Sequence, residues 1–159
     1  MITAQIIGAE AVIAKLGAVP DRVVTLVRAA VEGQAIALTA YIKGSKLSGQ
    51  MLRNISGHLR ASIHYEMQEG GDRIAATVGT NVAYAAIHEY GGQTRAHVIE
   101  AKKAKALAFQ MGGETIIRKL VHHPGSKMPE RSFLRSSLRE SRDRIIAAIE
   151  RAVAQGIKG

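Results

Sequence analysis

Residues 78–92 read V-G-T-N-V-A-Y-A-A-I-H-E-Y-G-G, and the rest of the chain is arranged around this stretch. A β-prone run ends at its first glycine, and a threonine and an asparagine follow as candidate caps for a short helix over residues 82–90. Gly91 then ends the helix, because glycine adopts the left-handed conformation without a Cβ clash. Two of the chain's six aromatic side chains, Tyr84 and Tyr90, fall in this helix. The stretch is therefore predicted to be a compact helical docking element between strands.

The short helix carries apolar side chains at helical spacing. Tyr84, Ile87 and Tyr90 are three residues apart, with Glu89 and Gly91 beside them. Side chains three apart lie on one face of a helix. This face either packs on the sheet, which is the simpler interpretation, or contacts a partner directly. We treat these five residues as candidate docking residues.

The composition limits the class of protein. With 159 residues the chain can form one domain with a real core, which aliphatic side chains must supply because tryptophan is absent. Cysteine is absent too, which excludes disulfides and thiolate metal sites. No apolar run approaches the roughly 20 residues of a membrane span, and the N-terminus lacks the pattern of a cleaved signal peptide. We therefore expect a soluble protein without a membrane partner.

Basic residues are concentrated in the second part of the chain. Residues 1–92 carry 8 Lys and Arg against 7 Asp and Glu, whereas residues 93–159 carry 14 against 6. Such an asymmetry favours a polyanionic neighbour, meaning nucleic acid, a membrane or an acidic protein surface. An ordinary basic surface that faces solvent explains the asymmetry equally well.

The first third of the chain is predicted to be largely helical. Residues 1–20 form an N-terminal arm or a short helix, which Gly17 and Pro20 interrupt. Apolar residues at spacings of three and four predict a long helix over residues 21–43. They are Val24, Val27, Val31, Ala35, Leu38 and Ile42. Residues 43–57 are polar and rich in Gly and Ser, which predicts a loop.

Two β-hairpins are predicted in the middle of the chain. The first covers residues 58–79, where apolar and polar side chains alternate in part on both sides of a Gly-Gly turn. The short helix over residues 82–90 follows it. Residues 93–122 are predicted to form a basic loop and a second hairpin, whose return strand is β-branched.

A C-terminal helix is predicted over residues 131–154. Its apolar stripe consists of Leu134, Leu138, Ile145, Ile149 and Ala152. Glu140 is expected to pair with Arg144 one turn later. Together the elements predict a single α+β domain over residues 1–159, in which an antiparallel sheet of two hairpins packs against the long helix and the C-terminal helix.

A basic stripe on the C-terminal helix supports a nucleic-acid alternative. The chain has no zinc-finger spacing, no helix-turn-helix signature and no strand with paired aromatics, so this alternative is limited to non-specific phosphate contacts. The candidate DNA-facing residues are Arg95, Lys102, Lys103, Lys105, Arg135, Arg139 and Arg142.

An enzyme is the other alternative, suggested by His88 beside Glu89 and by His122 beside His123. Adjacent side chains on a helix point in different directions, and no H-E-x-x-H or Asp-rich set accompanies them. We therefore predict no catalytic residue, no metal ligand and no cofactor.

Four blocks of the sequence, in their order along the chain, resemble the tailed-phage morphogenesis proteins. This group comprises minor tail, tail-completion and head-tail joining proteins, including those named simply for virion morphogenesis. The blocks are K-L-S-G-Q-M-L-R-N-I-S-G-H-L-R-A-S-I at 46–63, the opening stretch at 78–92, A-K-K-A-K-A-L-A-F at 101–109 and H-P-G-S-K-M-P-E-R-S-F-L at 123–134.

The resemblance implies a structural virion protein without catalytic activity. It implies a homo-oligomeric ring, for example a hexamer, at the end of the tail tube or in the neck. The partners would be the tail tube, tail-terminator or head-connector proteins, and double-stranded DNA would pass through the lumen. The protein would be assembled in the host cytoplasm and end in the tail or neck of the virion.

Particular residues carry this resemblance. Ser132 stands where the family pattern commonly has proline, and we expect this only to loosen the start of the last helix. Phe133 and Leu134 are expected to anchor that helix in the core. The residues that match the family blocks are Tyr84, Glu89, Gly91, Pro129, Arg131, Phe133 and Leu134.

Overall fold

A computed structural model describes residues 2–8, 21–52, 56–70, 73–102 and 104–158. Among them are four α-helices, one π-helical segment and nine strands. The helices are α1 Asp21–Tyr41, α2 His58–Ser62, α3 Ala85–Tyr90 and α4 Leu134–Lys158, and the π-helical segment Ile42–Gln50 continues α1. The strands are β1 Ile2–Gly8, β2 His64–Gly70, β3 Arg73–Thr80, β4 Gly92–Gln93, β5 His97–Glu100, β6 Leu107–Met111, β7 Glu114–Arg118, β8 Leu120–His123 and β9 Lys127–Met128.

The core lies between the two long helices and the first sheet. Helix α1 packs along α4 and over β3. The predicted stripe of α1 is buried from Val27 to Leu38, and Val23 extends it to the first turn. At the far end of α4, a Cβ on Gly156 would come within 2.6 Å of a Val23 methyl group, so the two helices approach closely there. The predicted apolar stripe of α4 is confirmed, with Leu134, Ile145 and Ala152 buried and Leu138 and Ile149 packed at the edge.

The first sheet has three antiparallel strands in the order β1-β3-β2. Strand β3 is central, and most of its side chains are buried. Strand β1 was not predicted: residues 1–20 were expected to form an arm or a short helix, but residues 2–8 pair along β3. The paired residues of the two strands are 66 to 78 positions apart, and local spacing carries no information about such pairing. Residues 9–20 lie outside the described part of the chain.

Two boundaries in the first half differ from the prediction. Residues 58–62 form α2 rather than the start of the first hairpin, and the strand begins at His64. The predicted loop over residues 43–57 is helical as far as Gln50, with an interruption at Ser48 and Gly49. The reason for the second difference is an anchor in the core: Leu47 is buried beside Lys46, which is only 4% exposed.

The Lys46 ammonium group binds the Glu140 carboxylate of α4 at 2.8 Å. The Tyr41 hydroxyl donates to the same carboxylate at 2.7 Å, and the Lys46 ammonium lies 5.5 Å from the Tyr41 ring centre. Glu140 was predicted to pair with Arg144 along its own helix, and this was wrong. The carboxylate joins α4 to the end of α1 instead.

The remaining strands form a two-stranded ribbon over residues 92–128. Strands β4 and β5 pair with β9 and β8 in one continuous register, and β6 pairs with β7 in a register shifted by five residues. The predicted α+β class with antiparallel hairpins is confirmed. The second hairpin is longer than predicted, and its strands pair with one another rather than with the first sheet. No described residue of this ribbon is buried.

The stretch Asp21–Gln50 is, by length and mean hydropathy, apolar enough to cross a membrane. Arg28 and Glu32 interrupt it, and its apolar stripe forms the core against α4 and β3. The same test is passed by the core helix of a globular fold, which is the role that α1 has here.

Candidate functional site

The carboxylate of Glu89 caps the N-terminus of α4. Glu89 is fully buried at the end of α3. Its oxygens accept hydrogen bonds from the backbone N–H groups of Phe133 at 2.8 Å, Leu134 at 2.9 Å and Arg135 at 2.9 Å. The first turn of a helix leaves its N–H groups without partners inside the helix, and its dipole favours a negative charge there. A side chain from another helix thus performs the capping that a local residue usually performs.

Ser132 completes this cap. Its hydroxyl donates to Glu89 Oε1 at 2.7 Å and accepts from the Ser136 N–H at 3.2 Å. The prediction that serine would only loosen the start of this helix was wrong. A proline here would lack the hydroxyl that holds Glu89, so this chain gains two hydrogen bonds from the departure.

The charge state of Glu89 follows from these contacts. Burial acts to raise the pKa of the carboxyl, but hydrogen bonds from Leu134, Arg135, Ser132 and Phe133 outweigh it and hold the pKa below its ordinary value. The carboxylate is therefore ionised at neutral pH, and the helix start is its counter-charge.

Arg135 is part of the same cluster. Its guanidinium group binds Glu89 Oε1 at 3.2 Å and Glu130 at 2.7 Å, and it stacks 4.5 Å from the centre of the Tyr90 ring. Arg135 was predicted to face DNA; its guanidinium group is engaged in these contacts, and its side chain remains 50% exposed. The spacing of arginines along α4 could not reveal this partner, since Glu89 lies 46 residues away.

The turn after α3 depends on Gly91. Its φ is 68°, and a Cβ there would lie 2.8 Å from the backbone nitrogen of Glu130. The prediction that Gly91 ends the short helix is confirmed. The helix is shorter than predicted, beginning at Ala85, and Thr80 Oγ1 accepts a hydrogen bond from the Val82 N–H ahead of it at 3.2 Å.

The candidate docking residues fall into two groups. Glu89, Phe133 and Leu134 are fully buried and hold the fold together, as expected for the last two. The other group reaches the surface: Tyr84 is 43% and Tyr90 54% exposed, Pro129 and Arg131 are exposed, and Ile87 is half-buried.

Tyr84 and Arg131 line one cleft of about 360 Å³ between α2, α3 and the start of α4. The Tyr84 hydroxyl lies 3.3 Å from His58 Nδ1, and its ring meets the His88 ring edge-on at 6.0 Å. We call this the basic cleft. The described residues that line it are Leu47, Leu52, Ser56, Gly57, His58, Leu59, Arg60, Tyr84, His88 and Arg131.

The cleft carries positive charge without a counter-charge. No described lining residue is acidic, and neither Arg60 nor Arg131 has an ion-pair partner in the described part of the chain. His88 Nδ1 is buried and finds no hydrogen-bond partner among the described residues. Burial, and then the charge of Arg131, lower the pKa of His88, so its imidazole is neutral at neutral pH.

Sequence reasoning missed the cleft residues His58, Arg60 and Leu52. They stand in the stretch interpreted as a loop and a strand. The sequence signal for these residues is the first of the four blocks that resemble the morphogenesis proteins, which contains L-R-N-I-S-G-H-L-R at 52–60. Only the folded chain shows that this block meets Tyr84 and Arg131.

The other basic candidates lie on two separate elements. Arg95, Lys102 and Lys105 are exposed on the ribbon, and Lys103 lies outside the described residues. Arg139 and Arg142 are exposed on α4, and Arg142 pairs with Asp143 at 3.6 Å. The six described residues of this set therefore lie on two different elements, the ribbon and α4.

Histidines of the ribbon pair across the strands. His97 lies opposite His123, and their rings stack with centres 5.0 Å apart. Within the described ranges, no group of three His, Cys, Asp or Glu side chains is placed to hold a metal ion.

The sequence model of the phage virion morphogenesis family matches residues 34–154, well over half of the chain. The protein belongs to the phage virion morphogenesis family. The matched range contains the Glu89 cap, the basic cleft and the whole ribbon. Comparisons with the curated proteins and with the solved structures returned no match.

Membership of the phage virion morphogenesis family identifies a structural role in phage assembly. It is consistent with assembly in the host and incorporation into virions. The resemblance noted in the sequence is thereby confirmed. The alternative, non-specific DNA binding as the main function, receives no support from the family match.

Proposed function

We propose that this protein completes the tail, or joins the tail to the head, as a non-enzymatic ring of identical subunits. The observation that carries this proposal is the ribbon over residues 92–128. Within the described ranges, its strands pair only with one another and none of its residues is buried. A two-stranded ribbon on its own is at best marginally stable in water. A surface of this size without a partner in its own subunit is suited to a neighbouring one.

The ribbon exposes apolar side chains that a free surface element would not need. Exposed apolar groups in one region mark sites of protein contact more often than scattered ones do. Those on the ribbon, with their exposed fractions, are Val98 at 47%, Ile99 at 37%, Met111 at 66%, Ile117 at 62% and Leu120 at 41%.

We call residues 106–117 the tip of the ribbon and the rest of residues 92–128 its base. The base is basic. The ribbon sequence contains seven Lys and Arg and two Glu, which is a net charge of +5. In a ring around the tail axis, such a surface would hold or pass double-stranded DNA through contacts with phosphates alone. Arg95, Lys102, Lys103 and Lys105 are the residues we assign to this role, with Arg139 and Arg142 of α4.

The proposal assigns partners and a location. The subunit contacts its own copies, and the ring contacts the tail tube together with a tail-terminator or head-connector protein. It acts in the host cytoplasm during assembly and then in the tail or neck of the virion. We expect it to need no cofactor. The mass of the assembled ring would give the number of copies.

Tail tubes from a prophage that lacks this protein provide the test. The purified protein is added to the tubes, and the tube ends are imaged by electron microscopy while head joining is scored by infectivity. We expect density at one end and recovery of joined particles. Unchanged tubes, together with tight binding of free DNA at physiological salt, would refute the proposal.

A variant with a shortened ribbon tests whether the ribbon itself is needed for assembly at the tube end. Replacing residues 106–117 by two glycines shortens the ribbon without touching the core, since none of the described residues there is buried. This variant is expected to fold, as judged by circular dichroism, yet to add no density. The matched control is Ile146→Ser, which removes an apolar side chain with 38% exposure from α4 and is expected to assemble normally.

A further inference from the structure

The tip of the ribbon differs in charge from its base. Residues 106–117 read A-L-A-F-Q-M-G-G-E-T-I-I, and Glu114 is their one charged residue. All seven basic residues of the ribbon lie outside the tip. Gly112 and Gly113, with φ of 63° and 88°, make the tight turn that places Met111 opposite Glu114. The tip thus presents a carboxylate next to the most exposed large apolar side chain of the described residues.

The basic cleft has the complementary chemistry. Leu59 is half-buried and supplies an apolar surface beside the buried Leu47 and Leu52, and the guanidinium groups of Arg60 and Arg131, unpaired among the described residues, supply positive charge. A volume of about 360 Å³ is suited to a few side chains. The phosphates of a DNA duplex would leave the leucines uncovered, so an acidic, apolar protein segment fits the cleft better than DNA does.

We propose that the ribbon tip of one subunit docks in the basic cleft of the next. The Glu114 carboxylate lies between Arg60 and Arg131, and Met111 covers the leucines. Different surfaces of the two subunits meet in this contact, and such head-to-tail contacts close into rings when the rotation between subunits allows it. The inference rests on the proposed ring and names the surfaces that would build it.

The proposed contact is weak enough for the subunits to stay separate in solution and to assemble only on the tail tube. A single ion pair and one apolar side chain make a small interface, and interfaces of low area are weak on their own.

Cysteine cross-linking tests the contact directly, because the natural chain has no cysteine. Thr115→Cys places a thiol beside Glu114, and Ser56→Cys places one in the cleft. Each variant carries a tag of a different size, and the two are mixed on tail tubes and oxidised. We expect a covalent pair of mixed size, because a disulfide forms only between Cα atoms about 4.4–6.8 Å apart. The control mixes Thr115→Cys with Ala147→Cys on the exposed side of α4, and no pair is expected.

Exchange of charges is the second test. Glu114→Lys and Arg60→Glu are each expected to lower incorporation at the tube end at least about tenfold, because each leaves like charges facing one another. The double variant restores one contact between opposite charges while Arg131 is unchanged, and it is expected to recover part of the loss. Both single variants are exposed changes that leave the core intact, which circular dichroism verifies.

The outcomes separate this inference from the proposed function. If the wild-type protein adds density to the tubes but no mixed pair forms and the charge variants assemble normally, the tip–cleft contact is wrong and the ring role stands. An acidic segment of another virion protein would then be the better occupant of the cleft. If the wild-type protein adds no density, both proposals fail.

Discussion

The backbone N–H of Leu134 donates a hydrogen bond of 2.9 Å to the carboxylate of Glu89, although 45 residues separate them. This bond joins the six-residue helix α3 to the 25-residue helix α4. Tyr84, His88 and Arg131, all of which line the basic cleft, stand within five residues of these two partners. The cap therefore determines the geometry of the surface that we assign to assembly.

Replacement of Glu89 tests the cap. Glu89→Gln keeps the shape of the side chain but removes its charge and turns an NH₂ group toward N–H donors. We expect a loss of about 2–4 kcal/mol in the free energy of unfolding, because buried donors lose a charged acceptor. Urea unfolding measures it.

Glu130→Gln is the matched control, because Glu130 binds the same Arg135 but its side chain is 56% exposed. An exposed ion pair contributes at most about 1 kcal/mol. Equal losses for the two variants would show that the cap does not stabilise the fold.

The glycine at the end of α3 is expected to be irreplaceable. Gly91→Ala adds a Cβ 2.8 Å from the Glu130 nitrogen at a φ of 68°. We expect destabilisation by about 2–4 kcal/mol, from the strained positive φ and the clash together.

Gly112 offers the comparison that separates these two causes. Its φ is similar, 63°, but a Cβ there meets nothing within 4 Å. Gly112→Ala should therefore cost only the conformational part, about 1 kcal/mol. A cost for Gly91→Ala no larger than this, in thermal or urea unfolding, would contradict the close approach seen in the structure.

His88 is expected to make stability depend on pH. Its pKa is lowered in the folded protein from the ordinary value of 6.5, so the unfolded chain binds more protons when the pH falls through that region. The stabilising contribution of the neutral form is present above pH 6.5 and is lost as the pH falls toward the folded pKa.

His88→Leu should reduce the difference in unfolding free energy between pH 8 and pH 5.5, because it removes the titrating group. His122→Leu, an exposed histidine of the ribbon, should leave that difference unchanged. If both variants and the wild type show the same pH dependence of stability, His88 is not the cause of that dependence.

The ion pair between Lys46 and Glu140 is expected to respond unequally to the loss of either partner. The Lys46 side chain is 5% exposed and that of Glu140 is 44% exposed. Lys46→Met leaves a carboxylate that water can solvate, so we expect a cost of about 1 kcal/mol.

Glu140→Ala leaves the buried ammonium group without its partner, and we expect about 2–4 kcal/mol. Urea unfolding of both variants checks the order. A greater cost for Lys46→Met would mean that packing of the lysine stem outweighs the charge.

Local signals in the sequence determined α1, α4, the turn at Gly91 and the existence of the second hairpin, which turns at Gly112 and Gly113. Helical spacing and the conformational freedom of glycine act over a few residues, so they are visible in the chain alone. Residues 58–62 were misread as the start of a strand for the same reason: a short apolar alternation suits a strand or one turn of helix equally well.

The tertiary structure alone decided the role of Glu89, the pairing of β1 with β3 and the basic cleft. A glutamate in the last turn of a short helix looks like a solvated side chain until the N-terminus of α4 is placed on it. The cleft likewise needs α2, α3 and the start of α4 to meet, and Glu89, the residue next to His88, is already bound to α4. These are contacts between residues far apart in sequence, and such contacts leave no local spacing by which they could be predicted.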